Sequence, residues 1–564
     1  MFNPNDILAS NPIAFPRLEA RDLALLKSLS DILSFSDGQI IFQAGDVDLD
    51  LFVVETGGIK ILNPSDENRH IVTHGPGQFS GDIDLLTHRP VIVTGVASGQ
   101  TQVLRIKTTR LHEILSKVPH LAEVFLLAIQ ERRRLLQATG VIGLKVIGPG
   151  KCRDTMLVRE FLFKNFVPFT WYDSTSDKGQ KLLNEWGSPK KLPVIECSNG
   201  QLLINPGLRE LAQSIGVWRH CPTEKIDLAI IGAGPAGMTA AVYAASEGIS
   251  TVVLDSLGPG GQAAGSSKIE NFIGFPSGLT GTELATRSVL QMLKFGAKMV
   301  APVSVERIEP AATPDDYHAL HLDCGNILLA RAVLIAAGIH WRKLEAANAE
   351  RFESAGIHHA CTTVEAVLYD KQDVAVVGAG NSAGQAAMFL AECCPERTVH
   401  LLVRRQLGPD MSDYLVNRIH ATHNIVLHEG VEIAAVNGKQ RLESITLRPF
   451  NPNSTERQGE GSSETFETLP ISAAFIFIGA DPGCSWLPKT LARDSLGYIM
   501  TGIDALQSGY WPLKDRKPCP LETTIPGILA AGDIRSGSTK RVGFAVGDGS
   551  MAVTCVHKLI AIRS

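Results

Sequence analysis

Long apolar runs are missing: no uninterrupted stretch approaches the roughly 20 residues that span a bilayer, so no membrane-spanning helix is expected. The opening MFNPNDILASNPIAFPR lacks a basic region followed by an apolar core, which gives no secretory leader and points to the cytoplasm. Any CxxC pair is missing too. The ten cysteines form neither a zinc-like cluster nor a secreted framework, so no metal site is expected and a reducing compartment suits them. Neither sign of charge dominates: 53 basic against 58 acidic side chains leave a net charge of -5, which favours neither nucleic acid nor an acidic membrane surface. What is present is ordinary globular material, 44 % apolar and 20 % charged. At 564 residues there is too much of it for one core, and about three to five domains are expected.

Residues 29–109 alternate short apolar runs with glycine turns, as in GDVDLDLFVVETGGIKIL and HGPGQFSGDIDLL. That is the pattern of closely spaced antiparallel strands in a small β-barrel. A helical period follows over 110–137, carried by Leu111, Ile114, Leu115, Leu121 and Phe125, and its basic run Arg132–Arg134 reads as a solvated helix end. From Leu144 the texture becomes strand, helix, strand, helix, strand, a compact α/β unit that ends near Val217. The polar connector WRHCPTEK then leads into the apolar strand IDLAII and a larger α/β region that runs to Ser564.

Two segments of that region carry the chemistry. In IDLAIIGAGPAGMTAAVYAASEGISTVVLD a GxGxxG turn joins a buried strand to a helix. Gly232 permits the tight turn, Gly234 lets the backbone approach a pyrophosphate, and Gly237 lets the helix, opened by Pro235, pack on the strand. The helix N-terminus presents free N–H groups to the anion, and Asp255 can accept from ribose hydroxyls. A second unit, DVAVVGAGNSAGQAAMFLAECCPERTVHLLVRR, supplies Gly378, Gly380 and Ala383 at the equivalent places, with Asn381 and Ser382 opening its helix. Its second strand ends in Arg404 and Arg405 instead of an acid, so a 2′-phosphate is favoured and NADPH is preferred over NADH.

With these units in order, the chain from about Ile226 onward resembles the thioredoxin reductase family of flavoproteins. GGQ at Gly260–Gln262 and IEN at Ile269–Asn271 resemble segments beside the flavin, which implicates Gly261, Gln262 and Asn271. The run IPGILAAGDIRSGSTKRVGFAVGDG resembles the late FAD motif, with Asp533 on the ribityl chain and Lys540, Arg541 and Val542 along the isoalloxazine. The resemblance implies FAD and NADPH as cofactors, hydride transfer between them, a redox acceptor as partner, and a homodimer. It also implies an FAD-binding domain split into 224–343 and 482–564 around an NADPH-binding domain at 344–481. The protein's part is to position the cofactors, and the hydride step strictly needs no side-chain acid or base.

The resemblance breaks at the redox disulfide. In the family a Cys-x-x-Cys-Asp sequence precedes the NADPH strand, whereas HACTTVEAVL matches it with Cys361 and Glu365 and puts Val364 in place of the second cysteine. One thiol cannot form the internal disulfide. Cys361 is therefore read first as a packed relic and second as a thiol that works alone. Residues 144–217 resemble a thioredoxin or glutaredoxin-like domain, with Cys152 at the nucleophile position, Thr155 where a resolving cysteine would stand, and Leu192-Pro193-Val194 as the cis-proline loop. Residues 1–139 resemble a cyclic-nucleotide-binding barrel with its helix. There Asp82 replaces a ribose-binding glutamate and Val91 the phosphate-binding arginine, so cyclic nucleotide binding is expected to be weak or absent unless Arg89 substitutes.

The expected architecture is therefore multidomain: a β-barrel, a thioredoxin-like α/β unit and two α/β Rossmann-like nucleotide-binding domains. Three outputs stay open. Electrons pass to a thiol or disulfide partner; or to oxygen, a quinone or an iron–sulfur protein; or the chain is a ligand-responsive redox sensor.

Overall fold

The computed structural model describes residues 11–562, apart from 48, 65–67, 88, 140–142, 151, 198, 220, 267–268, 270, 314–315, 354–355, 360, 362, 440 and 451–466. The first sheet is antiparallel and dominated by two long strands, Leu51–Asn63 and Thr94–Ile106, paired from Leu51↔Ile106 to Leu62↔Thr94. Asp31–Phe35, Ile40–Phe42 and Arg69–His74 complete it. The helical stretch that follows is two helices, α1 (Thr108–Lys117) and α2 (Pro119–Thr139). Val118 leaves helical geometry at φ -123° and ψ 84°, because the ring of Pro119 disfavours the α conformation in the residue before it. The basic run on α2 also differs from expectation. Arg132 and Arg133 are 6 % and 3 % exposed, buried by polar partners described below.

Residues 144–217 form a four-stranded sheet ordered Phe169–Asp173, Leu144–Gly148, Val194–Glu196, Leu202–Ile204, in which only the first pair is parallel. Helix α3 (Arg153–Lys164) connects that parallel pair, and the Leu192–Pro193 peptide is cis.

The runs IDLAII, TVVL and ILLARAVLI become neighbouring parallel strands, shielded on both faces as continuous apolar runs require. Helix α4 (Pro235–Ser246) follows the first of them, and α5 (Gly281–Lys294) starts at a capping box between Thr280 and Glu283. Ile528–Ala530, from the far end of the chain, joins this sheet beside Ile327–Ile335, and α8 (Val542–Ile562) packs on α4. Between them lies a second parallel sheet, ordered Ile357–His358, Ala473–Ile476, Val374–Val377, Val399–Val403, Ile425–Glu429. It carries α6 (Thr363–Leu368) and α7 (Asn381–Cys393). The chain crosses between the two sheets where His340–Trp341 pairs with Ala480–Asp481. One apolar cluster runs from the barrel at Phe79 and Phe125 through Phe166 to Leu228 and Met292, so the first three units share a core.

Candidate functional site

At the first glycine turn Gly232 has φ +105°, and a Cβ there would lie 2.3 Å from the Ala336 carbonyl oxygen, so no side chain fits. Pro235 opens α4, where a missing N–H costs nothing. Just past the strand Thr251–Leu254, Asp255 accepts from the backbone N–H groups of Ala233 (2.8 Å), Leu257 (2.9 Å) and Gly258 (2.8 Å). Three donors fix this carboxylate at the mouth of the turn.

A cavity of about 490 Å³ opens from there. Its wall includes Gly234, Gly261, Gln262, Asp533, Lys540, Arg541 and Val542. Gln262 Nε2 donates to the Ile339 carbonyl, and Lys540 Nζ donates to the Asp533 carbonyl while standing 4.1 Å from the centre of the Tyr498 ring. Burial pushes the Asp533 carboxyl above its usual range and pulls the Lys540 ammonium down. These residues fit FAD. Gly234 and Gly261 approach so closely that a Cβ on Gly261 would lie 2.9 Å from the Gly234 Cα, a cradle open to a pyrophosphate, and Asp533 offers an acceptor inside the cavity. Asn271 is exposed and outside the described wall, and Glu270 of the same segment lies outside the described residues.

The second turn repeats the geometry. Gly378 has φ +143°, and a Cβ there would lie 2.3 Å from the Phe477 carbonyl oxygen. Of the residues assigned to NADPH, Ser382 reaches the shared cavity, together with Gln385 and Ala386 further along α7. Ala383, in the first turn of that helix, is buried. Asn381 Oδ1 accepts from the N–H (2.9 Å) and Oγ (3.0 Å) of Ser412 and so clamps a neighbouring loop. Arg404 and Arg405 stand exposed beyond the strand Val399–Val403, next to the turn, where Gly378 donates to the Leu402 carbonyl. Arg404 Nε also pairs with Glu432 at 3.2 Å.

Cys361 lines the same cavity, 7 % exposed. Burial first, and then the Glu365 carboxylate, push its thiol well above the ordinary range, so it stays protonated and weakly nucleophilic at neutral pH. Cys152 is partly exposed, stands at the residue before α3 without a side-chain capping hydrogen bond, and is outside the wall. Among the wall residues that the sequence reading did not anticipate are Lys164, Trp341 and Phe477. The two aromatic rings meet edge to face at 6.5 Å, where the chain crosses between sheets. Their signal was an aromatic at each domain boundary. Lys164 comes from a different unit, and no local pattern marks it.

The barrel encloses a second cavity of about 90 Å³, walled by Phe15, Ile61, Val72, Val91 and other apolar side chains, with His74, Asp82, Asp84 and Arg132. Its guanidiniums are committed. Arg132 donates to the carbonyls of Ala14 (2.6 Å), Gly81 (2.6 Å) and Phe79 (3.0 Å), while Arg133 pairs with Asp82 (3.2 Å) and Asp84 (3.0 Å). Arg89, the candidate substitute for the phosphate-binding arginine, instead donates to the Asn165 carbonyl in the neighbouring unit.

Comparison with known proteins shows that the family profile described as pyridine nucleotide-disulphide oxidoreductase matches residues 226–549. The chain belongs to that family. This oxidoreductase is 30 % identical to the thioredoxin reductase of Ureaplasma parvum over 345 residues, 60 % of this chain and 97 % of that protein. It is 29 % identical over 343 residues, 60 % of this chain and 98 % of the other, to a Clostridium pasteurianum protein named as the 34.2 kDa protein in rubredoxin operon. Among solved structures, Lactococcus lactis thioredoxin reductase is similar at 25 % identity and a TM-score of 0.50, over 60 % of this chain and 99 % of that one. The profile of the cyclic nucleotide-binding domain matches residues 32–118. As a member of the family, the oxidoreductase is an NAD(P)H-dependent flavoprotein enzyme whose cofactors are FAD and NADPH.

Proposed function

We propose that this flavoprotein takes the hydride of NADPH onto FAD and passes the electrons to a thiol or disulfide acceptor outside the chain. The observation that carries the reading is the single cavity into which both units open, with Gly234, Asp533 and Lys540 on one side and Ser382 and Cys361 on the other. When bound, FAD supplies the two-electron chemistry. The chain cradles phosphate at Gly232 and Gly234, holds ribose at Asp255, and covers the meeting point of the two units with Trp341 and Phe477. Arg404 and Arg405 would receive the 2′-phosphate, and a homodimer is part of the reading. Residues 144–217 are read as a thioredoxin-like unit, a cis-proline α/β sheet whose first helix begins just after Cys152.

Anaerobic mixing with NADPH tests the proposal. The yellow protein should bleach within seconds and recolour when oxidised thioredoxin or a model disulfide is added. Bleaching without disulfide-driven recolouring would remove the disulfide acceptor. A second reading, with oxygen, a quinone or an iron–sulfur protein as acceptor, is favoured by the buried, protonated Cys361 and by the rubredoxin-operon relative. It predicts full turnover with such acceptors in a Cys152→Ser, Cys361→Ser double variant.

The barrel is read as a small-ligand module with weak or absent affinity for cyclic nucleotides. Arg132, Arg133 and Arg89 are all engaged, and a cyclic phosphate in this cavity would face Asp82 and Asp84. Calorimetry with cyclic AMP and cyclic GMP checks this.

A further inference from the structure

The end of α3 sits against the FAD crevice although it belongs to the unit of residues 144–217. Lys164 lines the cavity beside Asp255, Ser256, Leu257 and Gly258, with its side chain only 13 % exposed and paired with Glu160 at 3.0 Å. The contact is close at the backbone. A Cβ on Gly258 would lie 2.7 Å from Asn165 Nδ2 and 3.1 Å from Lys164 Cβ. Asn165, 2 % exposed, donates Nδ2 to the Phe161 carbonyl (2.9 Å) at the end of its own helix and to the Leu257 carbonyl (2.8 Å) in the FAD unit. Leu257 and Gly258 are two of the three residues whose N–H groups hold the Asp255 carboxylate. Phe166, the next residue, is buried in the core shared with the barrel and the FAD unit.

The same asparagine is gripped from the barrel. Its carbonyl accepts from Arg89 Nη1, and two contacts seat the surrounding loop: Arg219 Nη2 donates to the Thr87 carbonyl, and a Cβ on Gly216 would lie 2.4 Å from the Pro90 ring. A chain of hydrogen bonds therefore runs from Arg89 through Asn165 and Leu257 to Asp255. Buried amides and guanidiniums are costly to leave unpaired, so these partners hold one another in place.

We propose that the unit of residues 144–217 completes the FAD site, with Lys164 and the Asn165–Leu257 hydrogen bond closing its adenosine end and Arg89 acting as a positioning residue from the barrel. The inference rests on reading the crevice as the FAD site. In a family defined by the two C-terminal nucleotide units, it makes the preceding modules part of cofactor retention. Lys164 brings a shielded cation toward a ligand with an anionic pyrophosphate, where charge-assisted contacts are strongest.

FAD titration of full-length apoprotein, followed by flavin fluorescence and visible absorbance, provides the test. Lys164→Glu should raise the FAD Kd by about tenfold or more, equivalent to one strong charge-assisted contact. Asn165→Leu should weaken binding by about the same factor, and Arg89→Met by about threefold, with unchanged far-UV circular dichroism. Lys164→Met serves as the milder variant if the others fail to fold. A measurement on the wild type needs no variant: acetylation of Lys164 should slow several-fold when FAD is bound, whereas acetylation of Lys181, exposed and outside the cavity wall, should not. The inference is overturned if folded Lys164→Met and Asn165→Leu bind FAD within twofold of wild type, or if FAD leaves Lys164 acetylation unchanged. In both cases the wild type would still be yellow. A wild-type apoprotein that never takes up FAD overturns the functional reading and this inference with it.

Discussion

At the first glycine turn the proposed selecting residue is Asp255, held by three backbone donors that leave about one of its four acceptor sites for a hydroxyl. At the second turn the same strand end carries Arg404 and Arg405, exposed, with Arg404 sharing its Nε with Glu432. The two turns pinch equally, with a Cβ on Gly232 or Gly378 falling 2.3 Å from a carbonyl oxygen. The glycines therefore leave the same room for a phosphate in each, and on the proposed reading the residue beyond the next strand decides which nucleotide each receives. A preorganised acid suits a ribose diol, and an exposed guanidinium fork suits an extra phosphate.

The sharpest way to break that symmetry is to block one cradle at a time. Gly232→Val combines a forbidden backbone angle with a clash and should cost FAD affinity about 100-fold or more, so the protein should purify colourless. Gly378→Val, with the same defect in the other unit, should purify yellow and fail to bleach with NADPH. Two colourless variants would mean that the units do not bind separately.

Exchanging the selectors has the next largest effect. Arg404→Ala with Arg405→Ala removes both guanidiniums and should raise the KM for NADPH by about 10- to 100-fold, as expected for charged hydrogen bonds worth about 1.5–3 kcal/mol. The KM for NADH should barely move. Equal losses with both nucleotides would show that these arginines maintain the fold instead of reading the 2′-phosphate.

The thiols sharpen the same contrast. Cys519, half-buried beside Cys555 in the FAD part of the chain, is held below the ordinary thiol range, first by its hydrogen bond with that neighbour, whereas burial pushes Cys361 in the other unit well up. The lowered thiol ionises more readily than the raised one, so iodoacetamide should label Cys519 at least about tenfold faster. Lowering the pH should slow Cys519 and leave the difference smaller. Mass mapping of the alkylated peptides reads both rates, and equal labelling would remove the contrast.

Local chemistry was legible and distant chemistry was not. The two glycine turns, Asp255 and the late FAD motif declare themselves because each needs particular residues within a few positions of one another, and backbone sterics enforce that spacing. Arg132 and Arg133 were misread as a solvated end because their partners, the carbonyls of Ala14, Phe79 and Gly81 and the carboxylates of Asp82 and Asp84, lie far back along the chain. Arg89 deceived in the same way. It stands near the residues of a phosphate-binding loop, yet its bond runs to Asn165 in another unit. Lys164 could not be found from sequence, since only the docking of α3 brings it to Gly258.

The smallest effect expected is at Cys361, and it separates the incoming half-reaction from the outgoing one. Cys361→Ser replaces a buried, protonated thiol by a group of similar size at the edge of the shared cavity. The cradles at Gly232 and Gly378 and the selectors at Asp255 and Arg404 are untouched, so stopped-flow bleaching by NADPH should stay within about twofold of wild type. Reoxidation by oxygen or a quinone should be equally unaffected. If Cys361 alone relays electrons to a disulfide, only recolouring by that acceptor will fail, by at least about tenfold. A tenfold loss in bleaching itself would instead place this thiol among the groups that align the two cofactors, and the division of labour between the two units would have to be redrawn.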